Sequence, residues 1–365
     1  MLGMKVLLLG GTGAIGKYLV DELLIRGFEV FVTTRKERKS EKDNLVFLKG
    51  NAKSLSFTEE LVRQHRFDVI VDFMVYNNYE FKPLVSLLLE STPHYVFLST
   101  YRVFCDAGLE RLNEKSSRLA DNVDLKVLLG EDDYAISKAI QENFIKESKF
   151  ISWTIVRPTM SYSPGRLQLG SLEADFFIPR MLKGLPIAFP KELLDKKTTL
   201  TWAGDVAKLI ASLPTMDDSL GQIFLLATRE TVSWRQVIKI YNSQFDSKIK
   251  IVDMADYLEF ENNSNKLKFD RSFNRVCDNS KILMFMKNKN ISFLPTKYGI
   301  DMTLRDTLSS NSDVNTLNRV NGKMDRLLDI WQLPGSDLIN YVKYLSGRLK
   351  FIDGLINRYK GKNFI

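Results

Sequence analysis

An aliphatic run, Val6-Leu7-Leu8-Leu9, breaks abruptly into Gly10-Gly11-Thr12-Gly13-Ala14-Ile15-Gly16, after which Ile15, Leu19, Leu23 and Leu24 recur at helical spacing. A strand, a tight turn and a helix in that order constrain the fold more than any other feature of the chain. Gly11, Gly13 and Gly16 keep the G-x-G-x-x-G spacing. The first two let the backbone turn and approach a pyrophosphate, and the third lets the helix pack close to the strand. Dinucleotide phosphates then rest on free N–H groups at the helix N-terminus. Gly10, Gly11, Thr12, Gly13, Ala14, Ile15 and Gly16 are therefore expected cofactor contacts.

The same alternation continues for 160 residues. Strands are expected at 4–9, 28–33, 45–48, 68–75, 94–99 and 151–157, with helices near 15–26, 56–65, 80–90 and 131–147. This order predicts an α/β fold of the Rossmann type, a doubly wound parallel sheet with helices on both faces. Ligands of such sheets bind beyond the carboxyl ends of the strands, where the polar residues of this half fall. From about 165 the pattern loosens into Gly- and Pro-rich loops, as in Ser163-Pro164-Gly165 and Gly184-Leu185-Pro186. We expect a dinucleotide-binding core over 1–165. A smaller mixed lobe for substrate should occupy most of 166–365, with some segments returning to the core.

Residues 335–365 form an amphipathic helical segment of their own. Leu338, Val342, Leu345, Leu349, Ile352 and Ile356 make one apolar stripe, flanked by Lys343, Arg348, Lys350 and Arg358. Docking on protein is the ordinary fate of such a stripe; Gly347 and Gly354 weaken it as a free-standing helix.

Bulk properties narrow the chemistry. With 44% hydrophobic and 26% charged residues among 365, the composition is that of a soluble globular protein. No apolar stretch is long enough to span a membrane, and with Met1 leading almost directly into the first strand no signal peptide is expected. Cys105 and Cys277 cannot make a disulfide framework, so a reducing, cytoplasmic setting is expected. His65 and His94 are the whole histidine complement. No metal site is expected, and proton transfer falls to Tyr, Lys, Ser, Thr or a carboxylate. The net charge of +8 is spread among interleaved acids, as in 36–43. It reads as a solvated basic surface that favours phosphate-bearing ligands, with no nucleic acid expected as partner.

Tyr134 and Lys138 form a Tyr-x-x-x-Lys pair, on one face of a helix. An ammonium beside a phenol stabilises the phenolate and makes the tyrosine a usable acid or base. Thr100 ends the strand Tyr95-Val96-Phe97-Leu98-Ser99, where its hydroxyl can reach a substrate oxygen.

These residues occur in a telling order: the glycine turn, Ser99-Thr100, Tyr134-x-x-x-Lys138, Arg157-Pro158, then Tyr162-Ser163-Pro164-Gly165. Asn113-Glu114, Glu142, Trp202-Ala203-Gly204-Asp205-Val206-Ala207 and Gly221-Gln222-Ile223-Phe224 add to it. The chain from residue 4 to about 240 resembles the extended short-chain dehydrogenase/reductases, the NAD(P)-dependent epimerase/dehydratase family. The resemblance implies that Thr100 and Tyr134 hold the substrate oxygen, that Tyr134 moves the proton, and that Lys138 binds the nicotinamide ribose and tunes the tyrosine. It also implies cofactor contacts at Asn51, Ala52, Phe73, Met74, Arg157 and Pro158, and substrate contacts at Thr100, Tyr101, Arg102, Met160 and Arg180. Such enzymes commonly pair as homodimers, and the apolar helix at 80–90 (Phe81, Leu84, Val85, Leu87, Leu88, Leu89) is compatible with that.

Departures from the family pattern sharpen the expectation. The second strand ends Thr33-Thr34-Arg35-Lys36, a hydroxyl and two cations where an NAD enzyme is expected to carry an acid at Thr34. A ribose 2′-phosphate suits Thr34, Arg35 and Lys36, so NADP(H) is preferred and NAD(H) remains possible. Tyr101-Arg102 stands where 4,6-dehydratases carry an Asp-Glu pair, and Cys105 is out of register for a Cys/His epimerase-reductase. Met160 and Thr198 stand where many members hold the sugar nucleotide's diphosphate with Asn and Arg. Lys196, Lys197 or Arg180 are the candidate substitutes. The expected activity is reduction of a nucleotide-activated 4-keto-6-deoxy sugar. A 4-epimerase is the runner-up, and a non-catalytic dinucleotide- or RNA-binding relative is the alternative of another class.

Overall fold

Seven parallel strands make one sheet in the computed structural model, which describes residues 3–245, 248–262, 264–286, 292–309, 318–332 and 337–362. The elements of the first half run β1 (Lys5–Leu9), α1 (Ala14–Ile25), β2 (Glu29–Thr34), β3 (Leu45–Lys49), α2 (Leu55–Gln64), β4 (Val69–Asp72), α3 (Asn78–Glu90), β5 (His94–Leu98), α4 (Val123–Leu129), α5 (Tyr134–Lys146) and β6 (Trp153–Pro158). Every strand and helix expected in this half is present, with ends shifted by a few residues. The spatial order is the strand Gln222–Leu226, then β6, β5, β4, β1, β2 and β3. That is a doubly wound Rossmann-type sheet, reversing direction at β1. The edge strand Gln222–Leu226 pairs in parallel with β6, Ile223 opposite Ile155, so a late segment returns to the first sheet.

The strands are aliphatic on both sides because helices cover both faces. Val6, Leu8, Val30, Val32, Val69, Val71, Val96 and Val156 meet Leu19 and Leu23 of α1 and the helix Ala203–Ser212 on one face. Leu7, Leu9, Phe31, Ile70, Tyr95 and Phe97 meet Phe81, Leu84, Val85 and Leu88 of α3 on the other. The alternation of neighbouring residues between the two clusters is the period-2 geometry of a strand. The apolar positions of α3 that suggested a homodimer are thus largely consumed inside this core. Its outer face is Tyr79, Lys82, Pro83, Ser86 and Glu90.

The fourth strand stops at Asp72, three residues short of the expected end. The Asp72 carboxylate accepts a hydrogen bond from Met74 N (2.8 Å), which folds the chain into a turn and takes Phe73, Met74 and Val75 out of the sheet.

The chain divides into two compact units: residues 1–163, 199–231 and 275–296, and residues 164–198, 232–274 and 297–365. The first holds the sheet. The second is built from short helices and two-stranded ladders, among them the parallel pair Ile187–Pro190 and Ile249–Val252. The helices Asn318–Leu327 and Leu338–Arg348 cross in it with almost no separation. A Cβ on Gly322 would meet the Tyr344 carbonyl, and one on Gly347 the Arg319 carbonyl.

That crossing revises the reading of 335–365, of which residues 335–336, 363–365 and the side chain of Arg358 lie outside the described residues. The segment is two helices, Leu338–Arg348 and Lys350–Lys362, broken at Leu349. Tyr344, Gly347 and Asp353 are buried, while of the apolar stripe Leu345, Ile352 and Ile356 are half-buried and Leu338, Val342 and Leu349 exposed. Leu338 is 73% exposed and Val342 56%. Asp353 is held by Arg319, Lys323 and Arg326, and Tyr344 donates to Asp325, so polar anchoring on the small Gly347 face decided the orientation.

Candidate cofactor and proton-transfer site

The glycine turn lies between β1 and α1. Gly10 adopts φ +74°, which favours glycine, and its N–H is taken by Thr33 Oγ1 of β2 (2.9 Å). A Cβ on Gly16 would run into the Gly11 carbonyl, so the third glycine permits the close approach of α1 to the turn. Gly13 caps α1 with no side-chain bond to the helix N–H groups, and a Cβ there would meet nothing within 4 Å. An uncapped helix N-terminus facing open space, beside backbone that only glycine allows, fits a pyrophosphate. These residues suit the dinucleotide that their spacing suggested.

The end of β2 holds the next expected contacts. Thr34 turns its hydroxyl onto its own loop, donating to Lys36 O (3.0 Å) and accepting from Lys36 N, while Arg35 and Lys36 are exposed. Asn51, after β3, is exposed, and Ala52 is buried with its carbonyl bonded to Thr58. Phe73 and Met74 form the turn after β4, packed against opposite cores of the sheet.

At the carboxyl end of β5, Thr100 caps the short turn Tyr101–Val103, its Oγ1 accepting from Arg102 N (3.2 Å). The Arg102 guanidinium lies over the Tyr134 ring, 5.2 Å from its centre. Asp133 caps α5 through Ala135 N and Ile136 N, which places Tyr134 in the first turn. One turn later Lys138 is buried, and its Nζ donates to Leu98 O (2.8 Å) and Met74 O (3.0 Å) over the Phe97 ring. Lys138 is thus tied to the chain just after β4 and to the last residue of β5, Thr100 follows β5 directly, and Arg102 touches both Thr100, through its backbone N–H, and the Tyr134 ring, through its guanidinium. Burial pushes the Lys138 ammonium down to about 8, against the opposing charges of Asp72 and Glu142.

Two expected binding residues have structural employment. Arg157 is buried, with Nε and Nη2 on Glu142 (2.8 and 2.6 Å) and Nη1 on Glu114 O. Glu142 also takes Ser99 Oγ (2.5 Å) and Arg118 Nη1 (2.9 Å). Burial raises the Glu142 carboxyl, but Arg157, Ser99 and Arg118 outweigh it and hold it below its usual range. The network ties β5, β6, α5 and the 114–118 loop together behind Thr100. Arg180 belongs to the second unit, 1% exposed, and its guanidinium is spent on Pro186 O, Asn321 and Asp325 (2.7 Å). Met160, 6% exposed, pairs with Leu200, and Tyr101 is likewise buried.

Sequence reasoning passed over Asp72. Its carboxylate is fully buried and takes Tyr95 Oη (2.8 Å), Tyr76 Oη (3.1 Å) and Met74 N. The signal was available: an acid closing the aliphatic strand Val69-Ile70-Val71-Asp72 is a buried charge, and such charges need a reason.

With the fold and site described, the class follows. The sequence model of the NAD dependent epimerase/dehydratase family matches residues 6–227, and the chain belongs to that family. Among individual proteins, the chain is 25% identical over 205 residues to the chloroplast stem-loop binding protein of 41 kDa b of Arabidopsis thaliana. The match takes in 51% of this chain and 49% of that protein, so the chain spans about half the length of the curated relative it matches. Solved structures share the fold. Pal from Bacillus thuringiensis aligns with TM-score 0.66 at 17% identity, over 85% of this chain and all of that one. The UDP-glucose 4-epimerase of Thermus thermophilus in complex with NAD gives 0.64 at 19%, over 84% of this chain and 100% of that one. The dTDP-glucose 4,6-dehydratase of Bacillus anthracis in complex with NAD gives 0.65 at 15%, over 84% and 97%. Among the described residues no helix is long and apolar enough to cross a membrane, and no cluster of His, Cys, Asp and Glu could hold a metal.

Proposed function

We propose that the chain is an NADP(H)-dependent oxidoreductase that reduces the ketone of a nucleotide-activated 4-keto-6-deoxy sugar. The observation that carries this reading is the Tyr134–Lys138 pair on α5, with Lys138 anchored to the ends of β4 and β5 and Arg102 linking Tyr134 to Thr100. Thr100 and Tyr134 hold the substrate oxygen. Tyr134 gives its phenolic proton to that oxygen as negative charge develops there, and the Lys138 ammonium stabilises the phenolate left behind. The bound nicotinamide supplies the hydride. Arg102 adds a second cation beside the phenol ring, which serves reduction. It supplies no carboxylate of the kind that water elimination across the sugar requires.

The cofactor preference rests on Thr34, Arg35 and Lys36. Two exposed cations after β2, with no acid between them, suit a 2′-phosphate and leave a bare ribose without a bidentate acceptor. The bound complexes among the fold relatives name NAD, so the measurement is direct: dissociation constants for NADPH and NADH side by side.

Incubation of the purified protein with NADPH and candidate keto-sugars tests the reaction. Stoichiometric loss of reduced-nicotinamide absorbance supports reduction. Interconversion of two sugars without net cofactor consumption establishes a 4-epimerase instead. One observation favours a reading of another class: the curated relative is named for stem-loop binding, and this chain carries a net charge of +8. Steeply salt-dependent affinity for a stem-loop RNA, with no turnover, would replace the enzymatic reading.

A further inference from the structure

We propose that Asp72 is the positioning residue of Lys138, fixing where its ammonium sits and supplying the negative charge it faces inside the sheet core. The proposal rests on the part assigned to Lys138 above. Two features of the geometry carry it. The carboxylate builds the turn that receives the ammonium, since Asp72 Oδ1 accepts from Met74 N and Met74 O accepts from Lys138 Nζ (2.8 and 3.0 Å). The same carboxylate is wholly buried and collects only donors: Tyr95 Oη, Tyr76 Oη and Met74 N. Both phenols are pushed well above their ordinary range by burial and by the Asp72 charge, so they remain protonated and donate. Three donors and no acceptor favour the ionised carboxylate. Burial works the other way and raises Asp72, opposed first by the charge of Lys138.

Lys138 and Asp72 therefore lower each other's cost of burial. The other charged groups around them are already engaged. Glu142, which also faces Lys138, is bonded to Arg157, Arg118 and Ser99. Glu80, near Tyr76, is paired with Lys53 (3.0 Å). Tyr134, one turn before Lys138 on α5, lies under Arg102. Asp72 is the carboxylate near Lys138 that no arginine neutralises, and so the one free to hold the lysine charged at the pH of the cell.

A double-mutant cycle with Asp72→Asn and Lys138→Met on the full chain, read by denaturant midpoint, tests the pairing without any turnover. The double variant is expected to lose clearly less than the sum of the two single losses, because each single leaves the other charge buried alone. Additive losses overturn the proposal. Should Asp72→Asn fail to fold, Tyr95→Phe, which removes one donor and keeps the carboxylate, enters the same cycle with the same expected sign, and additivity again overturns it. In the active protein, Asp72→Asn moves the alkaline limb of turnover down by about one pH unit or more. An unmoved limb counts against the proposal. A coupled cycle in a chain that turns over no keto-sugar leaves Asp72 as the partner of Lys138 and refutes the reductase reading alone.

Discussion

Tyr134, Lys138 and Arg35 carry the chemistry proposed at the residue scale, and each makes a separate prediction. Tyr134→Phe removes the proton and keeps the ring under Arg102, so turnover should fall about 10²- to 10⁴-fold while NADPH binding holds, as titration of the purified variant will read. Lys138 loses its proton near pH 8 in the folded chain, against 10.5 ordinarily. Activity that needs the ammonium therefore declines above about pH 8, and a rate that stays flat to pH 10 contradicts its role. The stability effect has the opposite sense. Below about 8 the buried ammonium costs stability. Between there and 10.5 the unfolded chain keeps a proton that the folded chain has released, so this group's contribution improves as pH rises. Arg35→Ala should weaken NADPH binding by about tenfold or more, the worth of a charged hydrogen bond, and leave NADH nearly untouched. Equal losses for both cofactors argue against the 2′-phosphate.

At the scale of elements, glycines decide which helices come close. Gly16 lets α1 settle on the turn, and Gly322 and Gly347 let two late helices cross at backbone distance. Gly347→Ala forces a methyl group into the Arg319 carbonyl and is expected to cost about 1–3 kcal/mol, visible as a lower thermal midpoint with cofactor binding unchanged. An unchanged midpoint would mean that the crossing adjusts freely. The Leu338–Val342 stripe was readable as amphipathic, but periodicity does not say which face a neighbour takes. Here a small face with polar anchors at Tyr344 and Asp353 is the most buried, and the apolar stripe is covered only in part.

For the sheet-bearing unit as a whole, Glu142 is the central tie, joining Ser99 after β5, Arg157 of β6 and Arg118 to α5. Glu142→Gln leaves two buried guanidinium groups short of a counter-charge and should cost about 3–5 kcal/mol in denaturant unfolding. Its folded carboxyl lies below the ordinary range, so its stabilising share is present above that range and is withdrawn as pH falls through the folded value. Acid unfolding of the wild type followed beside Glu142→Gln reads that share, and identical acid transitions would remove Glu142 from this part. What the chain determined by itself is the order of strands and helices, the glycine turn and the Tyr134–Lys138 spacing. Each of these is a local matter of period, glycine placement and helix pitch. Only the tertiary structure brought Lys138 to Leu98 and to Met74, the same residue that Asp72 bonds, closed Arg157 onto Glu142 and turned Arg180 toward Asp325. Those pairings join residues far apart in sequence, where a buried charge takes whatever counter-charge the folded core brings within reach.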